Sequence, residues 1–169
     1  MTFDIRPESS ADLAAIREVT RAAFSNAAHA SHTEHLLVDA LRQAGALSLS
    51  LVAETGDNII GHVAVSPVTI SEGAAGWFGL GPVSVLPAYQ GHGVGSLLVH
   101  EALAVLRQRA ATGCVVLGEP SFYSRFGFKR EASLVLPGVP PEYFQAACLY
   151  GSFPHGEVRY HQAFDAAGD

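Results

Sequence analysis

Two periods of hydrophobic residues alternate along this chain, and each change of period marks where one element gives way to the next. Phe3-Asp4-Ile5-Arg6 alternates strictly and predicts a short first strand. Ser9-Ser10-Ala11-Asp12 gives a capping-box entry into a helix that gathers Leu13, Ile16, Thr20, Ala23 and Phe24 on one face. Ser31-His32-Thr33-Glu34 repeats that signal, and Leu36, Leu37, Ala40 and Leu41 carry a second helix to Gly45. Leu47 to Glu54 reads as a strand, Gly56-Asp57-Asn58 as a turn, and Ile59 to Ile70 as a long strand. Within it His62, Ala64 and Ser66 alternate with Val63 and Val65. Trp77 to Leu86 forms the next strand, closed by Pro87.

Val94, Leu97, Leu98, Ala102, Val105 and Leu106 make one stripe of a longer helix that Gly113 ends. Cys114 to Leu117 predicts a buried strand, and Ser121 to Phe126 a short helix stopped by Gly127. Phe128-Lys129 and Ser133 to Leu136 continue as extended chain. Phe144 to Tyr150 and Val158 to Phe164 predict the last two strands.

The run Pro87-Ala88-Tyr89-Gln90-Gly91-His92-Gly93-Val94-Gly95-Ser96 joins a strand to a helix through alternating glycines. Successive N–H groups there can curl around an anion, helped by the positive end of the helix dipole, so a diphosphate is the expected guest. Spacing excludes the two commonest diphosphate loops. A dinucleotide fingerprint starting at Gly91 would need glycine where Ser96 stands, and no acid follows some twenty residues on, in Ala110-Ala111-Thr112-Gly113. A P-loop would need lysine before Ser or Thr, and there is none.

Composition narrows the picture further. A chain of 169 residues suits one domain spanning 1–169, large enough for a true core. A net charge of −6 with few, scattered basic residues argues against a nucleic-acid partner. The first residues carry no apolar leader and no stretch approaches the ~18 apolar residues of a membrane span, so a cytoplasmic protein without a membrane partner is expected. Cys114 and Cys148 sit in apolar surroundings without C-x-x-C spacing and read as reduced thiols. His29, His32 and His35 step by three along the second helix signal; that spacing drifts around a helix and no cysteine joins them, so no metal centre is expected.

The Gln-Gly-X-Gly-X-Gly loop after a Val-X-Val strand resembles the pyrophosphate loop of the GNAT superfamily, the acetyl-CoA-dependent N-acetyltransferases. Gly118-Glu119-Pro120-Ser121-Phe122-Tyr123-Ser124-Arg125-Phe126-Gly127-Phe128 extends the resemblance, since that family carries a Tyr on a short helix followed four residues later by Gly-Phe. Glu34 to Arg42 and Gly156 to Phe164 are similar to segments of one bacterial subgroup, so the likeness covers nearly the whole chain. The implied fold is α/β (α+β). It has a mixed, mostly antiparallel sheet, splayed between the strands that flank the central helix, with helices on both faces.

The resemblance implies acetyl transfer from acetyl-CoA to a primary amine by direct attack, through a tetrahedral intermediate. The other reading is a non-catalytic acyl-CoA-binding or sensing module of the same fold. By position, the strand Val83-Ser84-Val85 would lie along the pantetheine, with Val83 and Val85 offering backbone groups to it. The pyrophosphate would take the amides of Gly91, His92, Gly93, Val94 and Gly95, with Gln90 and Ser96 beside it, and Phe122 and Arg125 would lie at the adenosine end. Tyr123 is the candidate partner of the departing thiolate. The strand before the loop, Phe78-Gly79-Leu80-Gly81, lacks the glutamate that several family members use as base; Glu119, His62 or a water relay stand in its place. A lysine-like amine of pKa ~10.4 is neutral in only about one part in a few thousand at pH 7, so deprotonation costs roughly 4–5 kcal/mol. Small polyamine, aminoglycoside, amino acid and protein N-terminus all stay open as acceptors, and so do monomer and homodimer.

Overall fold

Antiparallel pairing builds most of the sheet, and one parallel contact interrupts its main path. The computed structural model describes residues 2–25, 27 and 30–167. Its strands are β1 (Asp4–Pro7), β2 (Leu49–Thr55), β3 (Asn58–Ile70), β4 (Trp77–Val85), β5 (Gly113–Leu117), β6 (Leu134–Val135), β7 (Phe144–Cys148) and β8 (Gly156–Tyr160). The main path runs β1-β2-β3-β4-β5-β7; β8 pairs with the far end of β3, and β6 runs parallel to β8. Helices α1 (Leu13–Phe24) and α2 (Glu34–Gln43) cover one face, where Ile16 and Val38 pack on Val52. Helix α3 (Val94–Gln108) covers the other, burying Val94, Leu98, Ala102 and Leu106 against Leu51, Val63 and Val65. Short helices α4 (Pro120–Tyr123) and α5 (Ala163–Ala167) complete the chain. Among the described residues no helix is long and apolar enough to cross a membrane.

Both entry signals form as read. Asp12 accepts from the Ser9 amide at 2.7 Å and binds Arg6 through two hydrogen bonds, of 2.7 and 3.0 Å. Glu34 accepts the Ser31 amide at 2.9 Å. The chain's end departs from the expectation. The last strand stops at Tyr160 rather than reaching Phe164, because His161 caps a new turn: the Ala163 amide donates to its Nδ1 at 3.0 Å and the Phe164 amide to its carbonyl. Ala163 and Phe164 then pack on Leu37 and Leu41 of α2, a burial that strand alternation would forbid. The strand from Phe144 likewise ends at Cys148, since Leu149 and Tyr150 both donate to the Thr112 carbonyl. Cys114 is buried and Cys148 half-buried, and both are free thiols.

The sheet divides at β4. Its first half, Trp77–Leu80, pairs in parallel with Gly113–Val116. Pairing with β3 then slips: Val63 faces Val83 and Val65 faces Leu80, so Gly81 and Pro82 stand opposite one residue. Beyond this bulge β4 stays with β3, while β5 follows β7 to the pair Leu117–Phe144. The two strands part, and a bulge that bends one strand away from its neighbour is the physical cause.

Beneath α1 lies a buried polar row. Ser50 Oγ donates to Glu8 Oε1, and Glu8 is held by Arg42 at 2.8 Å. Ser50's single proton is thus committed, so His62 Nε2, 2.7 Å from Ser50 Oγ, carries the proton of the neutral ring. His62 Nδ1, Ser66 Oγ and Ser84 Oγ have no partner among the described residues. Burial pulls His62 down to about 4; Glu8 opposes that shift and Arg42 adds to it. Burial works to raise Glu8, but hydrogen bonds from Arg42 and Ser50 outweigh it and hold the carboxyl below its ordinary value.

These shifts predict a pH dependence of stability. Between the ordinary 6.5 of histidine and about 4, the unfolded chain binds a proton that the folded chain refuses. Stability is therefore full above pH 6.5 and falls by roughly 3 kcal/mol as pH drops through that window. Urea unfolding of His62→Gln at stepped pH is expected to show a flatter profile there. Losses from the paired Glu8 and Asp12 carboxylates, at lower pH, remain in both proteins.

Candidate active site

The gap between β4 and β5 collects most of the residues expected to act. Leu86 N–H donates to the Ile60 carbonyl at 2.9 Å, which sets the alternation of the β3–β4 ladder. Residues 84 and 86 turn their backbone groups to β3, and Val83 and Val85 turn theirs the other way, into the gap. Gln90 Nε2 donates to the Val85 carbonyl at 3.1 Å, tying the loop to the strand end. Ser84 is not brought to the gap: its backbone faces β3 and its side chain is buried with the polar row on the α1 side.

At the loop, Gly91 and Gly93 have φ of +80° and +84°. An added Cβ would meet nothing within 4 Å at either position, so backbone conformation rather than crowding demands glycine there. Leu97 N–H is the first to bond back, to the Gly93 carbonyl at 3.0 Å; the amides of residues 91–96 find no acceptor among the described residues. No side chain caps this end of α3, and no acidic residue occupies its first turn. Gly91, His92 and Gly93 are exposed, and Ser96 is half-buried. A 15-residue helix thus presents a row of unpaired donors beside the parted strands.

Helix α4 closes the other flank. Phe122 and Val85 both come within 3.7 Å of where a Cβ on Gly95 would lie, so strand end, helix start and α4 converge. Arg125 places its guanidinium 5.3 Å from the Phe122 ring centre, a cation–π contact on an exposed side chain. Tyr123 packs edge-on against Phe122 and Phe128, with centroids 4.9 and 5.9 Å away. Its ring lies on Gly118, where a Cβ would stand 2.5 Å from Tyr123 Cε2; only glycine admits the ring at the end of β5. Burial, with the Cys114 thiol behind it, pushes the phenol up to about 12.

On the opposite side of the gap lies a cavity of about 1480 Å³. Leu80, Gly81, Pro82 and Gly118 border it at the bulge, and Glu119 stands on its rim, exposed. Glu34 reaches it from the first turn of α2, with Oε1 buried and without a partner among the described residues. His62 is not among its walls; the ring is sealed under α1 on the Ser50 side, two strand positions from the bulge. Of the three spaced histidines, His29 lies outside the described residues. Tyr160, which the sequence did not single out, lines the cavity with a buried hydroxyl that has no partner among the described residues. Burial drives that phenol far above its ordinary range. Its only sequence signal was an aromatic in an alternating strand, which says nothing of what it faces.

The match to known proteins follows this geometry. Residues 46–130, which contain the bulge, the glycine loop and α4, match the acetyltransferase (GNAT) domain model. The uncharacterized N-acetyltransferase YhbS of Escherichia coli K12 is 38% identical, covering 95% of this chain and 98% of its own length. A GNAT family acetyltransferase from Brucella melitensis, solved in complex with acetyl-CoA, superposes with a TM-score of 0.87 at 49% identity, over 97% of this chain and 99% of that one. The Escherichia coli YhbS structure in complex with CoA superposes with a TM-score of 0.88 at 34% identity, over 96% of this chain and 92% of its own. The chain therefore belongs to the GNAT family of acetyltransferases.

Proposed function

We propose that this protein transfers the acetyl group of acetyl-CoA to a primary amine by direct attack. One observation carries the reading: the gap that opens beyond the Gly81–Pro82 bulge meets unbonded amides on one side and the large cavity on the other. The Brucella and Escherichia relatives were crystallised with acetyl-CoA and CoA, and they share the fold over nearly the full chain.

The residues divide the work by position. Amides of Gly91, His92, Gly93, Val94 and Gly95 hold the two phosphates, with Gln90 and Ser96 beside them. Between them, the gap-facing backbones of Val83 and Val85 serve the pantetheine amides and the thioester, as they would serve an added strand. Phe122 and Arg125 receive the adenosine end. The Val85 N–H, fixed by the sheet, meets the oxygen that gains charge as the amine attacks the thioester carbonyl. Glu119, on the cavity rim, takes the amine's proton directly or through water. His62 is neutral, interior and already bonded to Ser50, so it supports the strand rather than acting as base.

Tyr123 serves the leaving thiolate by hydrogen bonding rather than by full proton transfer. Moving a proton from a phenol near 12 to a thiolate near ~8.5 is uphill by about 5 kcal/mol. A donor held against the sulfur still lowers the barrier, and removing one such contact typically costs on the order of 10²-fold in rate.

Tyr123→Phe is expected to lower kcat at least tenfold and leave acetyl-CoA affinity near wild type, measured by thiol release and calorimetry. Gly93→Ala should weaken acetyl-CoA binding about tenfold, since a side chain at positive φ costs ~1–2 kcal/mol and turns the amide. The pH–rate profile should rise as the amine deprotonates and show no fall from Tyr123 below pH 10, because that phenol stays protonated there. A decline of kcat between pH 8 and 10 that vanishes in Tyr123→Phe would refute this role.

A further inference from the structure

The walls of the acceptor-side cavity define a class of amine, on the reading that the gap holds acetyl-CoA. Most of the lining is apolar. Leu117 and Tyr143 lie beside one another, linked by the Gly118 amide donating to the Tyr143 carbonyl at 2.9 Å. Both are large and left 47% and 42% exposed, and of the exposed large apolar side chains among the described residues these two line the cavity, while Leu13, Leu36, Val135 and Tyr150 lie elsewhere. Leu136, Val139 and Pro140 continue the same wall. Apart from the Tyr143 hydroxyl, these side chains offer no hydrogen bonds to a polyol, and they gain by being covered with an apolar body.

The charged groups have one dominant sign. Among the described residues, Glu34, Glu119, Glu157 and Asp165 line the cavity against a single cation, Arg159. Glu119, Glu157 and Asp165 are exposed, at the solvent side. Glu34 carries a second indication, because its Oε1 is buried and has no partner among the described residues, while Oε2 is satisfied by Ser31. A buried carboxylate oxygen without a donor is costly, and an ammonium group supplies the missing donor. Deeper in, Leu80, Ile70 and Val158 are nearly fully buried. An ammonium drawn in by the rim and then desolvated there loses its proton more readily, which the transfer reaction requires.

We propose that the acceptor is a primary amine carried on an apolar, preferably aromatic, body. An α-amino acid brings a carboxylate toward four acidic residues, and an amino sugar sets most of its hydroxyls against the apolar wall of Leu117, Leu136, Val139 and Pro140. A slender polyamine matches the charge but leaves Leu117 and Tyr143 uncovered.

The test compares 2-phenylethylamine, phenylalanine, glucosamine and spermidine by thiol release on the full chain, with acetyl-CoA binding measured separately by calorimetry. The expected result is a kcat/KM for 2-phenylethylamine at least tenfold above the other three, with KM rising with added salt. Leu117→Ser should raise KM for 2-phenylethylamine about fivefold and leave KM for spermidine unchanged. Glu34→Gln should raise KM for both cations and leave the acetyl-CoA Kd unaltered. Equal or better use of glucosamine, phenylalanine or spermidine overturns the proposal, as does acetyl-CoA binding with no turnover of 2-phenylethylamine. In those cases the acetyl-CoA reading stands. Failure to bind acetyl-CoA overturns that reading itself.

Discussion

Everything in the site descends from the two residues of β4 that face one residue of β3. Without the slip at Gly81 and Pro82, β4 and β5 would stay paired to their ends and no backbone would face open space. The bulge does two things together. It lets β5 leave with β7, and it resets the alternation so that Val83 and Val85 present hydrogen-bonding groups to the gap. The glycine loop, α4 and the cavity are then arranged around an opening that they did not create. A sheet edge is ordinarily a hazard to be covered; here a short edge is held inside the molecule, between α3 and α4.

Proton traffic is organised by burial rather than by strong acids and bases. Tyr123 is kept firmly protonated by burial against its aromatic neighbours and Gly118. His62 is kept firmly neutral on the other side of the sheet, where Ser50 and Glu8 fix its tautomer. Neither group titrates near neutrality, which leaves the substrate amine as the group whose protonation changes there.

Much of this was legible in the residue order, wherever the cause was local. Glycines at 91 and 93, the capping boxes and the 3.6-residue stripe of α3 each act within a few residues, and each formed where it was read. The short helix that carries Tyr123 could be located, but not the fact that Gly118 lies under its ring. Ser84 shows where such reading stops. Its neighbours Val83 and Val85 face the gap and it does not, and only the long-range register with β3 decides which. His62 fails for the same reason, since alternation places it on a face without saying what covers that face. The cavity was invisible because its walls come from segments as distant as Glu34 and Asp165. Tyr160 and the late helix at Ala163 depend on the same distant packing.

Trp77 never touches the site, yet it governs its shape. The indole is 2% exposed, and its ring fills the space over Gly113, where even a methyl group would collide at 2.3 Å. Those two residues are also the first rung of the parallel ladder between β4 and β5. The strands are therefore clamped at one end and free to diverge only at the other, much as the arms of a pair of tweezers are joined at the back. Any drift that widened Gly113 into a larger residue would have to move the joint, and with it the aperture at the far tip. The demand for an unsubstituted residue at 113 is thus inherited from an opening it never borders.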